Sequence, residues 1–355
     1  MSFVYLIIAI SVLILIHEAG HFFVARFLGI KVEEFGFGFP PRVFSRVKNG
    51  VRYSFNLLPF GGFVKIFGER GEGVEDEGSF AARATWQRFL ILFAGVFMNA
   101  ALAWLLFSTA SGIGIPQAGG TESAGAPVSV IAVMPDSPAE NSGLKLGDQI
   151  LRMRAGSDVV SVTVEDDVSR FTRLHQGEEV MLRIRRGQDE REITTLLRVE
   201  SEANEGPLGI AMGRLSIVRV PWYETPVAGA RMLWWSIQAT VAGLGWVLNE
   251  LLFEWNTDIP VAGPIGIFQL GAEVNALGIS YFLQFIALLS VNLAVLNVLP
   301  IPALDGGRIF FLAIEKIRGV RMSPRFENAA HAAGLALLIL LMLLVTYKDV
   351  TRIIY

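Results

Sequence analysis

Apolar runs of membrane length, separated by polar stretches of different character, organise this chain. Residues 1–16 carry no charged side chain, and after a short polar insert the run resumes to about Leu28. At about 1.5 Å per residue, this first segment (1–28) is long enough to cross a hydrocarbon core of about 30 Å. No basic region precedes it and no small-x-small cleavage site follows it, so it reads as a span and not as a cleaved signal peptide. Phe89 to Gly120 carries no charge, and residues 89–111 predict a second span. Val274 to Leu304 is likewise uncharged and predicts a third, within 279–304. Residues 328–347 predict a fourth, in which His331 is the one titratable group before Tyr347.

The intervening stretches follow other rules. In residues 29–88, Val, Phe and Tyr alternate with Gly36, Gly38, Pro40, Pro41, Pro59, Gly61 and Gly62, a pattern of short strands and tight turns. Its many phenylalanines suggest a β-hairpin leaning into the membrane, with an ordinary amphipathic loop as the alternative. Glu72 to Glu77 reads as a mobile acidic stretch. Residues 121–220 hold 16 of the 33 acidic residues among Val- and Ile-rich strands, as in a water-exposed α+β domain. Within it, Met134-Pro-Asp-Ser-Pro-Ala-Glu-Asn-Ser-Gly-Leu-Lys-Leu-Gly-Asp-Gln-Ile-Leu151 resembles the most recognisable stretch of PDZ domains. That resemblance implies uptake of an extended peptide or protein segment on a strand edge, expected at Val128, Val130 and Ile131. Residues 221–273 contain Trp234, Trp235 and Trp246 and read as an amphipathic interfacial helix, lying on or dipping into the outer surface, followed by a bend at Gly263-Pro264.

Composition narrows the class. The 355 residues are 52% hydrophobic and 18% charged, with a mean hydropathy of +0.49; soluble domains carry about 25% charged residues. The chain is therefore expected to be a polytopic α-helical membrane protein of about four spans in a lipid bilayer. The net charge of −3 says nothing about nucleic acid and no basic run suggests it, so no nucleic-acid partner is expected. Ten basic residues fall in 26–88 and five in 305–328, so the positive-inside rule expects both connections in the cytoplasm. Both termini and the 121–220 domain then lie outside, and residues 305–327 form a cytoplasmic loop.

Chemistry concentrates in the first span, at Ile16-His17-Glu18-Ala19-Gly20-His21. Histidines four apart on a helix project from one face and can grip one metal ion, with Glu18 near enough to handle its water. There is no cysteine, so a metal must be held by nitrogen and oxygen. Asp305, just beyond the inner end of span three, sits at a similar depth and is the only acid between Glu273 and Glu315. It is the expected third ligand of a site of three protein groups plus water. His331 is the rival donor, and Asp305 as a mere helix cap is the bland alternative. Asn99, a lone polar group in span two, reads as interhelical glue.

His-Glu-x-x-His in the first span, Asn297-x-x-Pro-x-Pro-x-Leu-Asp-Gly306 in the third, and a PDZ-like insert between spans two and three resemble site-2 protease family intramembrane metalloproteases. The closest likeness is the bacterial branch containing the regulator of sigma-E protease. The likeness extends to Asn56-Leu-Leu-Pro-Phe-Gly-Gly-Phe-Val-Lys-Ile66 and to Gly263-Pro-Ile-Gly-Ile267. It implies one Zn2+ on His17, His21 and Asp305, with Glu18 as the catalytic carboxylate and Asn297 positioning substrate backbone. The expected activity is hydrolysis within single-span membrane proteins of the bacterial inner membrane, such as anti-sigma factors or signal-peptide remnants. The β region would contribute Phe55, Asn56, Leu57, Gly61 and Gly62 to substrate binding. The alternative is a non-catalytic metal carrier or PDZ scaffold.

Overall fold

The computed structural model describes residues 2–69, 71–118, 126–134, 136–187, 189–199, 206–254 and 262–354. Two compact units emerge: 1–110 with 221–275 and 281–355, and 111–220 with 276–280.

Among the described residues four helices are long and apolar enough to cross a membrane: α1 (Ser2–Phe27), α2 (Thr85–Ile113), α7 (Ile279–Val298) and α9 (Pro324–Ile354). Small residues let them approach. A Cβ on Gly20 of α1 would lie 2.4 Å from the Ala94 carbonyl oxygen of α2, so glycine here permits backbone contact between the two helices. Ala103 and Phe107 of α2 pack on Ala287 and Val291 of α7.

Two long strands, β1 (Val32–Lys48) and β2 (Val51–Ile66), join at Asn49-Gly50, where both residues have positive φ (51° and 78°), the geometry of a tight hairpin turn. Each strand bends, and Phe35 pairs with both Val64 and Tyr53 while Ser45 pairs with Ser54. The expected hairpin is thus a four-rung antiparallel sheet in the order 62–66, 32–37, 52–56, 42–48. The rung 62–66 forms an edge beside α1. The Glu72–Glu77 stretch is tied down: Ser79 Oγ donates to the Glu72 carbonyl at 2.9 Å and Lys31 pairs with Asp76 at 2.7 Å.

Three expectations for the first unit change. Residues 305–318 form no loop but an amphipathic helix, α8 (Asp305–Arg318), stopped by left-handed Gly319 (φ 69°). The tryptophan-bearing helix α5 (Thr225–Asn249), which ends in a π-helical turn at Glu250–Glu254, does not lie across helix ends. It packs along α2 and α7, through the Trp104 indole on the Pro226 carbonyl (2.9 Å) and the Thr240 hydroxyl on Asn292 (2.8 Å). The bend at Gly263-Pro264 opens another helix, α6 (Pro264–Leu277), and buried Asp349 of α9 accepts from the Gly263 and Gly266 N–H groups at 3.0 and 2.8 Å. That carboxylate fills the role of an N-cap from a distant helix.

The second unit is an α+β sheet of order β3-β9-β4-β5-β7-β8, with β6 beside β5. Its strands are β3 (Ile115–Ala118), β4 (Val128–Val133), β5 (Gln149–Ala155), β6 (Asp158–Ser161), β7 (Glu179–Arg186), β8 (Asp189–Leu196) and β9 (Ile210–Val218). Two short helices, α3 (Pro138–Asn141) and α4 (Glu165–Leu174), complete it. The Ser137 hydroxyl caps α3 by accepting from Glu140 N–H at 3.1 Å, with proline at the first helical position. Buried Asp148 takes both a bidentate Arg186 guanidinium (2.7 Å each) and the Lys145 N–H (2.8 Å). The unit begins earlier than residue 121 because β3 pairs with β9.

The peptide edge expected at Val128, Val130 and Ile131 is not there. Strand β4 is flanked by β9 along its length and on its other side by β5 and the Gly147 and Asp148 backbone, at 2.8 Å each to Val130. Val128 and Val130 are wholly buried, and only Ile131 is exposed. Burial on one face of an interior strand produced the Val-rich pattern.

Replacing Asp349 with alanine leaves one buried and one part-buried N–H group unpaired, and a loss of about 1–3 kcal/mol in stability is expected. A lowered melting temperature in detergent checks it, with Asp349→Asn intermediate; an unchanged melt in both would show that α6 needs no cap from α9.

Candidate metal centre

Helix α1 sets the first two donors. His17 and His21, one turn apart, present their rings edge to face with centroids 4.8 Å apart, and their Nε2 atoms are separated by 3.2 Å. Asp305 arrives as the first residue of α8, after the chain breaks helix at Pro300 and Pro302. The turn there is tight. A Cβ on Gly306 would lie 2.2 Å from the Leu299 carbonyl oxygen, and one on Gly307 would lie 2.4 Å from that of Ile301. Ala303 is held at φ 86°, a costly angle for a residue with a side chain. Its N–H donates to His331 Nδ1 at 2.8 Å. His331 therefore supports the loop that delivers Asp305 and is not a member of the cluster.

Asp305 Oδ2 lies 3.0 Å from His17 Nε2 and 3.3 Å from His21 Nε2. The edge of a tetrahedron with bonds of about 2.0–2.1 Å measures about 3.4 Å, so the three donors sit at nearly the mutual spacing a tetrahedral zinc ion demands. Their chemistry agrees. His21 Nδ1 is 2.7 Å from the Ile91 carbonyl, which can only accept; the ring proton is on Nδ1 and the Nε2 lone pair faces the cluster.

Helix α2 closes the other side. A Cβ on Gly95 would come within 2.5 Å of His21 Nε2 and 2.7 Å of His17 Nε2, so glycine leaves the room that the two imidazoles occupy. One turn on, fully buried Asn99 places its side-chain amide 3.1 Å from His17 Nδ1, and the Ser290 hydroxyl of α7 donates to the Asn99 backbone carbonyl at 2.8 Å. If His17 Nε2 binds metal, Nδ1 carries hydrogen, and the Asn99 atom facing it is the amide oxygen; the two orientations of an amide are indistinguishable by shape.

Glu18 accepts the Val64 N–H at 2.9 Å from the edge rung 62–66. A cavity of about 270 Å³ joins Glu18, the three donors, Asn297, Phe63, Val64 and Arg308. Arg308, one turn after Asp305, pairs with Glu69; burial alone would lower its pKa, but Glu69, with Asp305 and Glu327, holds the guanidinium above its ordinary value.

Of the residues expected here, His17, Glu18, His21, Asp305 and Asn297 meet in one cavity. Phe55, Asn56, Leu57, Gly61 and Gly62 do not line it. The Asn56 amide is spent on the Phe37 and Gly38 carbonyls (3.2 and 3.1 Å), and Phe55 stacks on Phe37. Leu57 is exposed, while Gly61 and Gly62 abut Ile14 and Leu15 of α1. The bend in β2 brings Phe63, Val64 and Ile66 to the cavity instead. Gly95, Arg308 and Glu69 were missed. The one available signal was the Gly95–Asn99 spacing of four, which puts both on one helix face.

Two substitutions test this geometry. Gly95→Ala should abolish stoichiometric zinc binding, because the methyl meets both imidazoles. Asn99→Leu should weaken zinc affinity by about 10–100-fold, with Asn99→Asp, which keeps an acceptor, retaining most of it; chelator competition measures both.

The profile of peptidase family M50 matches residues 5–341. A relative from Clostridium perfringens named as a zinc metalloprotease is 35% identical, over 99% of this chain and 98% of its own. The zinc metalloproteases RasP of Oceanobacillus iheyensis and Geobacillus kaustophilus are 27% and 28% identical, over 98% and 99% of this chain and 98% of each of theirs. With its profile covering nearly the whole chain and relatives matching end to end, the protein belongs to peptidase family M50, the site-2 proteases.

Proposed function

We propose that His17, His21 and Asp305 hold the zinc ion of this intramembrane metalloendopeptidase and that Glu18 is its catalytic carboxylate. The observation that carries the reading is the near-tetrahedral spacing of the three donors, 3.0–3.3 Å, in one cavity with Glu18. The chain is a multi-pass membrane protein and a zinc metalloprotease, as its family and relatives imply.

Bound zinc supplies a Lewis acid that polarises the scissile carbonyl and makes water acidic near neutral pH. The chain's own residues do the rest. Glu18 takes a proton from water and returns it to the leaving amine. Val64 N–H holds one Glu18 oxygen and orients the other. A helical substrate must be extended before its carbonyl is reachable, and the edge rung 62–66 offers backbone groups for such a strand. Asn297, at the cavity wall, hydrogen-bonds freed substrate backbone. A carboxylate kept beside the cluster also argues against an inert scaffold.

The finer reading is that single-span proteins are cut at the cytoplasmic side, with both chain termini and the α+β unit outside; the basic loops support it. The PDZ-like unit would bind a peptide on the second edge of Ile210–Arg214 of β9, beside α4. Strand β3 covers only Leu215–Val218 of that edge, and Glu165 of α4 reaches the Arg214 N–H at 3.0 Å.

Purified full-length protein and Glu18→Gln should each hold about one zinc, while the variant cleaves a single-span substrate about 10²–10⁴-fold more slowly. Equal cleavage would remove Glu18 from the mechanism; loss of zinc in the variant would make Glu18 a structural member of the site.

A further inference from the structure

Beyond the metal cavity, a groove of about 520 Å³ runs between the start of α2 and the middle of α8, a size typical of small-ligand sites. Its walls are Trp86 and Phe89 from α2 and Ile309, Leu312 and Ala313 from α8, with Lys316 as its one charged residue. Trp86 and Phe89 are 60% and 40% exposed at the end of an apolar membrane-length helix, where an interfacial tryptophan belongs.

The charges of the stretch 316–325, which begins at the groove's Lys316, have one sign. Lys316, Arg318, Arg321 and Arg325 are all exposed, and among the described residues Lys316 has no ion-pair partner. The acids of α8 face inward: Asp305 lies in the metal cluster, and Glu315 pairs with buried Arg88 at 2.5 Å and accepts the Met322 N–H at 2.9 Å. Glu327 lines a separate small cavity together with Arg88 and Arg308. An apolar trough with a lone ammonium at its rim, on an amphipathic helix whose exposed charges, Lys316 and Arg318, are both basic, matches an anionic lipid: acyl chain in the trough, phosphate on the cation.

We propose that this groove seats one anionic phospholipid, its acyl chain against Trp86, Phe89, Leu312 and Ala313 and its phosphate on Lys316. The lipid would brace α8, whose first residue is Asp305. Leu312 forms one wall of the groove and also packs in the cluster of Ile91 and Leu92, which line the metal cavity.

The test is lipid retention by purified full-length protein, drawn from nanodiscs of equal phosphatidylglycerol and phosphatidylcholine and counted by native mass spectrometry. Zinc content and melting temperature, measured alongside, report folding. Wild type should retain phosphatidylglycerol preferentially. Lys316→Glu and the milder Lys316→Gln should each reduce that preference about fivefold, with zinc and melting unchanged. Ala313→Trp, which fills the trough, should reduce retention of both lipids. Equal phosphatidylglycerol preference in wild type and both Lys316 variants would overturn the phosphate seat. Undiminished retention in a folded Ala313→Trp protein would overturn the acyl seat.

Discussion

Two imidazoles and a carboxylate from opposite ends of the sequence meet with donor atoms 3.0–3.3 Å apart inside a bundle of apolar helices, and the surrounding structure exists to hold them there. Ionisable groups at such depth cost several kcal/mol unless they are paired with one another or with a metal. Each donor is therefore braced from behind. The Ile91 carbonyl orients His21, the Asn99 amide faces His17, and the strained Ala303 turn pinned by His331 aims Asp305. The bracing groups come from α2 and α9, neither of which supplies a ligand, so the site depends on the whole bundle.

Packing and chemistry are coupled through small residues. Gly20 lets α1 touch the α2 backbone, Gly95 clears the space in front of both imidazoles, and Gly306 and Gly307 let α8 start directly beneath the preceding loop. In a membrane, where apolar side chains gain little by leaving lipid for protein, such close approach is what brings helices together. The same economy delivers Glu18: the edge rung of the sheet abuts α1, and its Val64 N–H holds the carboxylate.

Much of this was legible in the sequence. The four spans announce themselves by length and lack of charge, and the His17–His21 spacing and isolated Asp305 point to one site because helix periodicity and depth are simple geometry. Other features were illegible for physical reasons. Phe55, Asn56 and Leu57 share the composition of Phe63, Val64 and Ile66, and only the fold of each strand onto two partners decides which rung reaches α1. Val128 and Val130 look like a strand edge, but pairing on both sides of β4 is a tertiary fact. Helix α8 hid behind its charges, which fall on both its buried side (Asp305, Glu315) and its exposed side (Lys316, Arg318). Strand β9 was masked by Gly213, Arg214 and Ser216, which interrupt its apolar alternation.

The proposed ligand set is two histidines and an aspartate of this chain around one zinc ion. X-ray absorption at the zinc edge of the purified protein addresses it most directly. About one zinc per chain is expected, in a shell of nitrogen and oxygen at about 2.0–2.2 Å with scattering from two imidazoles, and Asp305→Ala should lose an oxygen neighbour or the metal itself. A shell containing three imidazoles, or a spectrum and zinc content unchanged by Asp305→Ala, would contradict it.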